Sequence, residues 1–427
     1  GLLVREDGGW SAYSEHAPRL AGGAGAAFWI RHDDPQASNH QLGAGAAYRV
    51  DKHLPEISAL IDPEQWSLIT ADDSQLVVIR GVAGSGKTTV ALHRLAYLNY
   101  KDPRRFRADR MMVVVWGDAL RRFIGRVLPD LGVRGTQVRT YGFWAASMRE
   151  QVLPMLPKKR NDDTPAAITR IKLHPAILGV LEEHVARKAA PSTGGQVLDD
   201  WAEVLSNGPV LLEALNRKVP GAFSASDVDR FVSYTSRQID GMQEHLEPDQ
   251  LDGPEAEEAD VVHNQTFLDD EDDTLLLRIW QLRVGPIPEK GRGGRPLRYQ
   301  HLAIDEVQDL SPLEVRVLMD CVDGRKSITL AGDTQQHVLQ EAGFVDWEEF
   351  FGHLGVKGTA VSTLEVAYRS TKPIVAFARA VLGHLAEDAS VDVPRDGVPV
   401  GVLPFDDHGE CLAFLAEALR TLTASEP

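Results

Sequence analysis

The segment QLVVIRGVAGSGKTTVALHRLAYL, at residues 75–98, constrains the fold of this chain more than any other. Its letters LVVI predict a buried strand, and the glycines that follow predict a tight loop. A helix is predicted next, and it is expected to bury Val90, Leu92, Leu95 and Leu98 or their neighbours. Backbone N–H groups of such a loop, together with a helix N-terminus, can surround a phosphate. The segment therefore predicts an α/β fold that binds a phosphorylated ligand.

The loop itself, GVAGSGKT, fits the P-loop pattern in full. In that pattern the Lys87 amine reaches the β- and γ-phosphates of a nucleoside triphosphate, and the Thr88 hydroxyl binds Mg²⁺. A triphosphate with Mg²⁺ is therefore the expected ligand. The loop residues assigned to it are Gly81, Gly84, Ser85, Gly86, Lys87 and Thr88.

A second apolar run, LAIDEVQDLS at residues 302–311, ends in carboxylates. Asp305 would complete the Mg²⁺ shell, and Glu306 would orient and deprotonate the attacking water. Adjacent carboxylates repel each other, and a divalent cation offsets that repulsion. The alternative interpretation is a buried strand followed by a solvated acidic turn. A third run, ITLAGDTQQ, places Asp333 and Gln336 at another strand end, where the Gln336 amide would sense the γ-phosphate.

Strand and helix patterns alternate on both sides of a central region with a different pattern. MMVVVW at residues 111–116 predicts another parallel strand, and GVPVGVLPF at residues 397–405 predicts one more. Between residues 146 and 299, helical patterns predominate and are followed by an acidic block and the basic, Gly-rich EKGRGGRPLR. This region is predicted to be a mainly helical insertion in an α/β domain.

The net charge of -17 is concentrated between Glu244 and Asp273, which hold 13 acidic residues and no Lys or Arg. We expect this acidic block to be a solvated, poorly ordered loop. The alternatives are a contact for a basic partner and a mimic of nucleic-acid charge. The 14 histidines show no ligand spacing, so no metal site is expected besides that of the nucleotide.

The cellular location is predicted from two features. Two cysteines, Cys321 and Cys411, cannot build a disulfide framework, which favours a cytoplasmic protein. No apolar run reaches the roughly 20 residues of a membrane span, so no membrane contact is expected.

The chain begins at Gly1 and continues for about 60 residues past the letters YRS, and we expect it to be a fragment.

Four segments identify a family when they are taken in order: GVAGSGKTTVALHRLAYL, LAIDEVQDLS, LAGDTQQ and LEVAYRST. They resemble the helicase motifs of the UvrD/Rep-like branch of superfamily 1, over about residues 61 to 380. Three further segments, PEISALIDPEQWSLI, FIGRVLPDLG and DWEEFFGHL, resemble the HelD family, whose members are ATPases that act on bacterial RNA polymerase. The resemblance implies a RecA-like P-loop NTPase with a parallel sheet core, in which two RecA-like domains bind ATP between them.

This resemblance implies a division of the chain into five parts. They are an N-terminal lead-in (1–60), the first part of the first RecA-like domain (61–145), a mainly helical insertion with the acidic segment (146–299), the second part of that domain (300–364) and the start of a second RecA-like domain (365–427).

The resemblance also implies roles for residues outside the P-loop. Gln65 would read the adenine edge, Tyr368 would stack on adenine, and Arg369 would reach the γ-phosphate. Thr89 stands where DNA translocases commonly carry an arginine against adenine. The catalytic set expected for ATP hydrolysis is then Lys87, Glu306, Gln336 and Arg369.

The expected function is an ATP-hydrolysing motor that remodels or recycles bacterial RNA polymerase. After Gln336 the chain reads HVLQEAGF, which lacks the base-stacking aromatic residues of DNA translocases. A 3′-to-5′ DNA helicase or translocase in repair or phage defence is the alternative, in which Lys158, Lys159, Arg160 and GRGGRPLR would contact phosphates. Hydrolysis needs second-domain motifs beyond residue 427, and a chain that ended there would be a non-hydrolysing nucleotide-binding module.

Overall fold

The computed structural model of the chain divides into two compact units, Ser67–Arg369 with Glu387–Asp392, and Gly1–Trp66 with Ser370–Ala386 and Val393–Pro427. The residues that it describes are 2–6, 9–13, 20–23, 26–29, 61–71, 76–81, 84–161, 163–188, 193–218, 220–246, 268–291, 293–333, 347–356, 361–364, 370–383 and 393–425.

The strands within these ranges are β1 (Leu2–Glu6), β2 (Gly9–Tyr13), β3 (Leu20–Gly23), β4 (Ala26–Trp29), β5 (Leu76–Gly81), β6 (Met111–Val115), β7 (Gln137–Thr140), β8 (His301–Ile304), β9 (Ile328–Gly332) and β10 (Val361–Leu364). In the N-terminal lead-in, β1 pairs with β2 and β3 with β4, both antiparallel. The other strands form one six-stranded sheet in the order β10-β5-β9-β8-β6-β7, and every pairing in it is parallel.

The helices are α1 (Pro63–Thr70), α2 (Lys87–Lys101), α3 (Asp118–Asp130), α4 (Tyr141–Val152), α5 (Ala166–Lys172), α6 (Pro175–Val185), α7 (Gly194–Ser206), α8 (Gly208–Lys218), α9 (Ala225–Leu246), α10 (Asp270–Arg283), α11 (Pro312–Met319), α12 (Trp347–Leu354), α13 (Lys372–Leu382) and α14 (His408–Ser425). None of these helices is both long enough and apolar enough to cross a bilayer.

The parallel sheet forms the core of the larger unit. Its central strands β6, β8 and β9 are buried along their whole length, as expected for parallel strands that helices cover on both faces. The predicted α/β fold with a parallel sheet is confirmed. In this strand order β5, β9 and β8 are neighbours, so the segments that follow their carboxyl ends lie side by side. The sheet therefore brings together the loop after β5 and the acidic residues after β8 and β9.

The helices between β7 and β8 share a continuous apolar core with the sheet. Trp144 on α4, Trp201 on α7 and Leu276 on α10 belong to the same buried cluster as Ile304 of β8. The predicted start of the insertion, between residues 145 and 146, falls inside α4. The helical region begins at Tyr141, directly after β7.

One end of the acidic block is buried, which contradicts the prediction of a solvated loop. Asp269, Asp272 and Asp273, at the start of α10, have no solvent exposure. The Lys172 amine lies 2.7 Å from a carboxylate oxygen of Asp269 and 2.7 Å from one of Asp272. Arg149 Nε lies 2.9 Å from Asp273 Oδ1. The prediction was wrong for Asp269, Asp272 and Asp273, because buried cations compensate their charge; residues 247–267 lie outside the described ranges.

Removal of the Lys172 charge is expected to destabilise this unit strongly. Lys172→Met should lower the free energy of unfolding by about 3 to 5 kcal/mol, because it leaves two buried carboxylates without their cation. The exposed Lys159→Met is the matched control and should change stability little. In denaturant titrations, the triple variant that adds Asp269→Asn and Asp272→Asn should recover most of the loss. Equal stability of the Lys172 and Lys159 variants would contradict a structural role of the buried pairs.

A predicted strand at residues 397–405 is absent from the structure, which describes this stretch without helix or strand. Pro399 and Pro404 remove two backbone donors that a sheet ladder would need. Val398, Val400 and Val402 are 39%, 38% and 73% exposed, so the apolar run is not buried by a sheet. Helix α14 follows this stretch.

Candidate nucleotide-binding site

The loop after β5 requires glycine at three positions. A Cβ atom at Gly81 would collide with the Ser85 hydroxyl and lie 3.0 Å from the carbonyl oxygen of Leu364. Gly84 and Gly86 have φ angles of +80° and +92°, in the left-handed region that residues with a side chain rarely adopt. These glycines let the backbone turn sharply into the N-terminus of α2, whose first turn carries no acidic residue. The local geometry therefore suits a bound anion.

Lys87 is the first residue of α2, and its side chain is buried. Its Nζ donates a 2.7 Å hydrogen bond to the carbonyl of Gly81 and lies 3.6 Å from Oδ2 of Asp333. The ammonium group thus lies over the loop, between the carboxyl ends of β5 and β9. From this position a lysine can neutralise phosphate charge, as the P-loop pattern predicts.

Thr88 joins the loop to the acidic end of β8. Its Oγ1 donates a 2.8 Å hydrogen bond to Oδ2 of Asp305, a residue 217 positions later in the chain. The other carboxylate oxygen, Oδ1 of Asp305, is buried and has no hydrogen-bond partner within the described part of the chain. An orphaned buried oxygen beside a threonine hydroxyl is an oxygen donor set of the kind that Mg²⁺ prefers.

The electrostatics of Asp305 also fit a cation. Burial raises the pKa of Asp305 to about 6, and the charge of the adjacent Glu306 acts in the same direction. The Thr88 hydrogen bond and the Lys87 charge oppose this rise in pKa. A divalent cation at this point would favour the ionised carboxylate, so the residues present fit bound Mg²⁺.

Glu306 has an unusual backbone conformation, with φ +52° and ψ +47°. Left-handed backbone at a residue with a side chain stores strain and is found preferentially at functional sites. Its Oε2 accepts a 2.9 Å hydrogen bond from Nε2 of Gln308. The carboxylate is therefore held in one orientation at the end of β8, beside Asp305.

Gln308 is a residue of the site for which the sequence analysis predicted no role. It contributed only to the resemblance of LAIDEVQDLS to the UvrD/Rep-like motifs. Besides its bond to Glu306, its Oε1 accepts a 3.0 Å hydrogen bond from the backbone N–H of Asp333. The side chain is buried and links the ends of β8 and β9. A Cβ at Gly332 would lie 2.8 Å from this amide oxygen, which explains the glycine in GDTQQ. The available sequence signal for this role was an amide residue directly after the carboxylates at the end of β8.

Arg94 is a second residue that the sequence did not reveal. It lies on α2, is fully buried, and its Nη1 donates to the carbonyls of Leu68 (3.2 Å), Ile69 (3.2 Å) and Ala71 (2.9 Å). These carbonyls lie at the C-terminal end of α1, where a cation is favoured by the helix dipole. Arg94 therefore fixes the end of α1 to the helix that follows the P-loop.

Loss of this guanidinium should be costly. Arg94→Met is expected to lower the free energy of unfolding by about 2 to 3 kcal/mol, since buried carbonyls lose a charged donor. Denaturant titration measures the effect against Arg126→Met, an exposed position on α3. Arg94→Lys, which restores one donor, should lie between the two. If Arg94→Met were as stable as Arg126→Met, the three hydrogen bonds would contribute nothing to folding.

The structure describes some of the remaining predicted site residues and not others. Thr89 is half-buried in the first turn of α2. Gln65 is buried on α1, and its backbone N–H bonds to Oδ1 of Asp62 at 2.8 Å. Gln65 belongs to the unit that includes Gly1–Trp66, so its contact with adenine stays a prediction. The residues that lie outside the described ranges are Gln336, Tyr368 and Arg369.

Among the described residues, a group of possible metal ligands occurs away from this site. Ligand atoms of His184, Asp200 and Glu203 lie within 4.8 Å of one another. Asp200 already accepts from His184 Nε2 (2.9 Å) and from Arg283 Nε (2.6 Å), and Glu203 lies 2.6 Å from Lys188 Nζ. Because each carboxylate has a cationic or imidazole partner, the group forms an ion-pair network between helices rather than a metal centre.

Comparison with known proteins shows a similarity to curated helicases. No protein-family model matches the chain. Over 143 residues the chain is 28% identical to the ATP-dependent DNA helicase UvrD2 of Mycobacterium bovis and to the same protein of Mycobacterium tuberculosis. The match covers 30% of this chain and 20% of each relative, so the chain spans about a fifth of the length of these relatives. This similarity is weak, and it fits a helicase-like ATPase of the UvrD/Rep-like branch.

Proposed function

We propose that this chain is the ATP-binding part of an ATP-hydrolysing, helicase-like motor of the UvrD/Rep-like branch of superfamily 1. The hydrogen bond between Thr88 and Asp305 carries the proposal, because it joins a complete P-loop to an acidic strand end 217 residues away. The similarity to ATP-dependent DNA helicase UvrD2 supports the same branch.

In this proposal the loop residues bind the triphosphate. The backbone of residues 84–86 and the N-terminus of α2 surround phosphate oxygens, while the Lys87 ammonium neutralises charge on the β- and γ-phosphates. Thr88 Oγ1 and the Asp305 carboxylate would hold Mg²⁺, which when bound offsets the charge of the phosphates. Glu306 accepts a proton from the attacking water, and Gln308 keeps its carboxylate in position for that transfer.

Binding of ATP is tested by titration with a fluorescent ATP analogue. With Mg²⁺ we expect saturable binding, and removal of the metal with EDTA should weaken it at least tenfold, because Asp305 and the phosphates then face each other without a cation. GTP should compete less well than ATP if Gln65 reads the adenine edge. Equal affinity with and without Mg²⁺ would count against the assignment of Thr88 and Asp305.

RNA polymerase is the proposed target of the motor. The supporting observations are the HelD-like segments around the P-loop and the letters HVLQEAGF after Gln336, which depart from the base-stacking segment of DNA translocases. The test is capture of polymerase by the tagged full-length gene product from its own cells, with and without ATP. The expected result is that the product captures the core subunits and that ATP changes the amount captured. A product that never captures them would exclude this target.

DNA translocation is a second candidate, favoured by the similarity to UvrD2. A translocase should hydrolyse ATP at least tenfold faster with single-stranded DNA and displace a strand in the 3′-to-5′ direction. Turnover that DNA does not stimulate would exclude this candidate. Binding of ATP without any turnover in the full-length product would instead assign the protein as a nucleotide-binding module.

A further inference from the structure

An open cleft of about 510 Å³ lies at the amino-terminal ends of the strands, the end of the sheet opposite to the P-loop. Its walls come from residues that immediately precede β6 and β8, such as Arg110 and Gln300, and from Asp323 before β9. Gln300 fixes this arrangement, since its N–H donates to Arg110 O (2.7 Å) and its side chain accepts from the N–H of Arg107 (2.9 Å). The cleft is therefore built on the amino ends of central strands and is separate from the nucleotide site.

Arginine side chains dominate the lining of this cleft. The arginines that line it are Arg107, Arg110, Arg295 and Arg298, and the acidic residues are Glu289 and Asp323. The cleft acids neutralise these charges only in part: among the described residues, Arg110 pairs with Glu289 at 3.0 Å, and the other three lining arginines pair with neither cleft acid. Arg107 pairs with Asp109 on the open surface, where such a pair contributes little. Within the described part of the chain, the Arg295 guanidinium has no acidic partner.

The described residues of EKGRGGRPLR form a hairpin that presents two of these arginines. The N–H of Glu289 donates to Arg295 O at 2.7 Å, and the N–H of Leu297 donates to Ile287 O at 2.8 Å. Gly291, Gly293 and Gly294 have φ angles of +74°, +59° and +76°, so glycine is needed for this tight tip. Arg298 is anchored by a 3.0 Å bond from Nη1 to the carbonyl of Asp320. The arginines are thus held by a defined backbone rather than by a loose basic tail.

The charge of this face contrasts with that of the whole protein. The described residues of the segments 104–110, 289–298 and 323–326 include nine Lys and Arg against three Asp and Glu, whereas the chain carries a net charge of -17. No large apolar side chain is exposed among those residues. Protein interfaces rely on buried aromatic and apolar anchors, while interfaces with nucleic acid are polar and strongly positive. The composition of the face therefore favours a nucleic-acid ligand over a protein.

We propose that this arginine cleft binds phosphate groups of a nucleic-acid backbone. Guanidinium forks suit the paired oxygens of a phosphate, and several arginines on one face match the repeated charges of a phosphate chain. Because contacts to phosphate oxygens carry no direct sequence information, the binding is expected to be independent of base sequence. The site lies apart from the P-loop and does not depend on the proposed ATP-driven function.

The test uses the double variant Arg107→Gln/Arg295→Gln, because Arg110 is paired with Glu289 and Arg298 is anchored to the carbonyl of Asp320. The control is Arg230→Gln/Arg237→Gln, two exposed arginines on α9 with the same change in charge. Binding of a fluorescein-labelled 30-mer DNA duplex and of its single strand is measured at several salt concentrations by anisotropy. For the cleft variant, Kd at low salt should rise at least tenfold, and the slope of log K against log salt should become less steep by about 2, since each lost phosphate contact contributes about 0.9.

Two further measurements separate this site from the nucleotide site. Lys87→Ala should leave DNA binding unchanged while it weakens ATP binding, and the cleft variant should bind the fluorescent ATP analogue normally. Equal DNA affinity of the cleft and control variants would overturn the proposal. A poly-glutamate peptide that binds the cleft as tightly as DNA of equal charge would overturn it too, because the site would then recognise an acidic protein.

Discussion

Lys87→Ala is expected to raise the dissociation constant for ATP by about 10- to 100-fold. The side chain is buried, and its ammonium lies 2.7 Å from Gly81 O at the mouth of the loop. A charged hydrogen bond to a phosphate contributes roughly 1.5 to 3 kcal/mol, and each 1.4 kcal/mol is a factor of ten in affinity. Titration with a fluorescent ATP analogue measures the change.

Lys101→Ala is the matched control, because Lys101 is exposed in the last turn of the same helix. This variant should bind ATP as the parent protein does. A denaturant titration of Lys87→Ala shows whether the protein still folds, which separates lost binding from lost structure. Unchanged ATP affinity in a folded Lys87→Ala protein would refute the assignment of the P-loop.

Glu306→Gln is expected to keep ATP binding and to slow hydrolysis by about 100- to 10,000-fold, the usual contribution of a general base. The amide oxygen of glutamine can still accept the hydrogen bond from Gln308, now 2.9 Å long, so the geometry of the strand end should persist. Only the capacity to take a proton from water is lost. Phosphate release by the full-length gene product, with bound ATP measured in parallel, gives kcat and affinity separately.

Glu348→Gln provides the control for this change, since Glu348 is exposed on α12 and carries the same charge. Its turnover should equal that of the parent protein. If Glu306→Gln hydrolysed ATP at the parent rate, the base would be a different residue, and the strained backbone at Glu306 would need another explanation.

Local patterns predicted much of the site. The letters LVVI and the residues after GKT appear in the structure as β5 and α2, and Val90, Leu92, Leu95 and Leu98 are buried as predicted. These predictions depend only on periodicity and on the glycines that a phosphate-binding loop requires. The P-loop pattern also indicated that an acidic strand end had to accompany Thr88, and the structure brings Asp305 to it.

Predictions failed where distant residues decide the outcome. An acidic run without basic neighbours in the sequence normally stays in water. Asp269 and Asp272 are nevertheless buried, because both pair with Lys172, which lies 97 and 100 positions earlier in the chain. The apolar run at residues 397–405 has the composition of a strand, but its prolines remove ladder donors and its valines are exposed. In both cases the local pattern was clear, but it could not predict which distant residues would pack against the segment.

The sequence by itself determined that two carboxylates follow the apolar run in LAIDEVQDLS and that a complete P-loop pattern precedes them in the chain. The tertiary structure alone decided how they differ. The Asp305 side chain is buried against Thr88, while the Glu306 side chain is held by Gln308 between two strand ends. The reason is physical: residue types and short-range periodicity define which groups can react, whereas burial and hydrogen-bond partners depend on strands that are adjacent in the sheet and far apart in the chain.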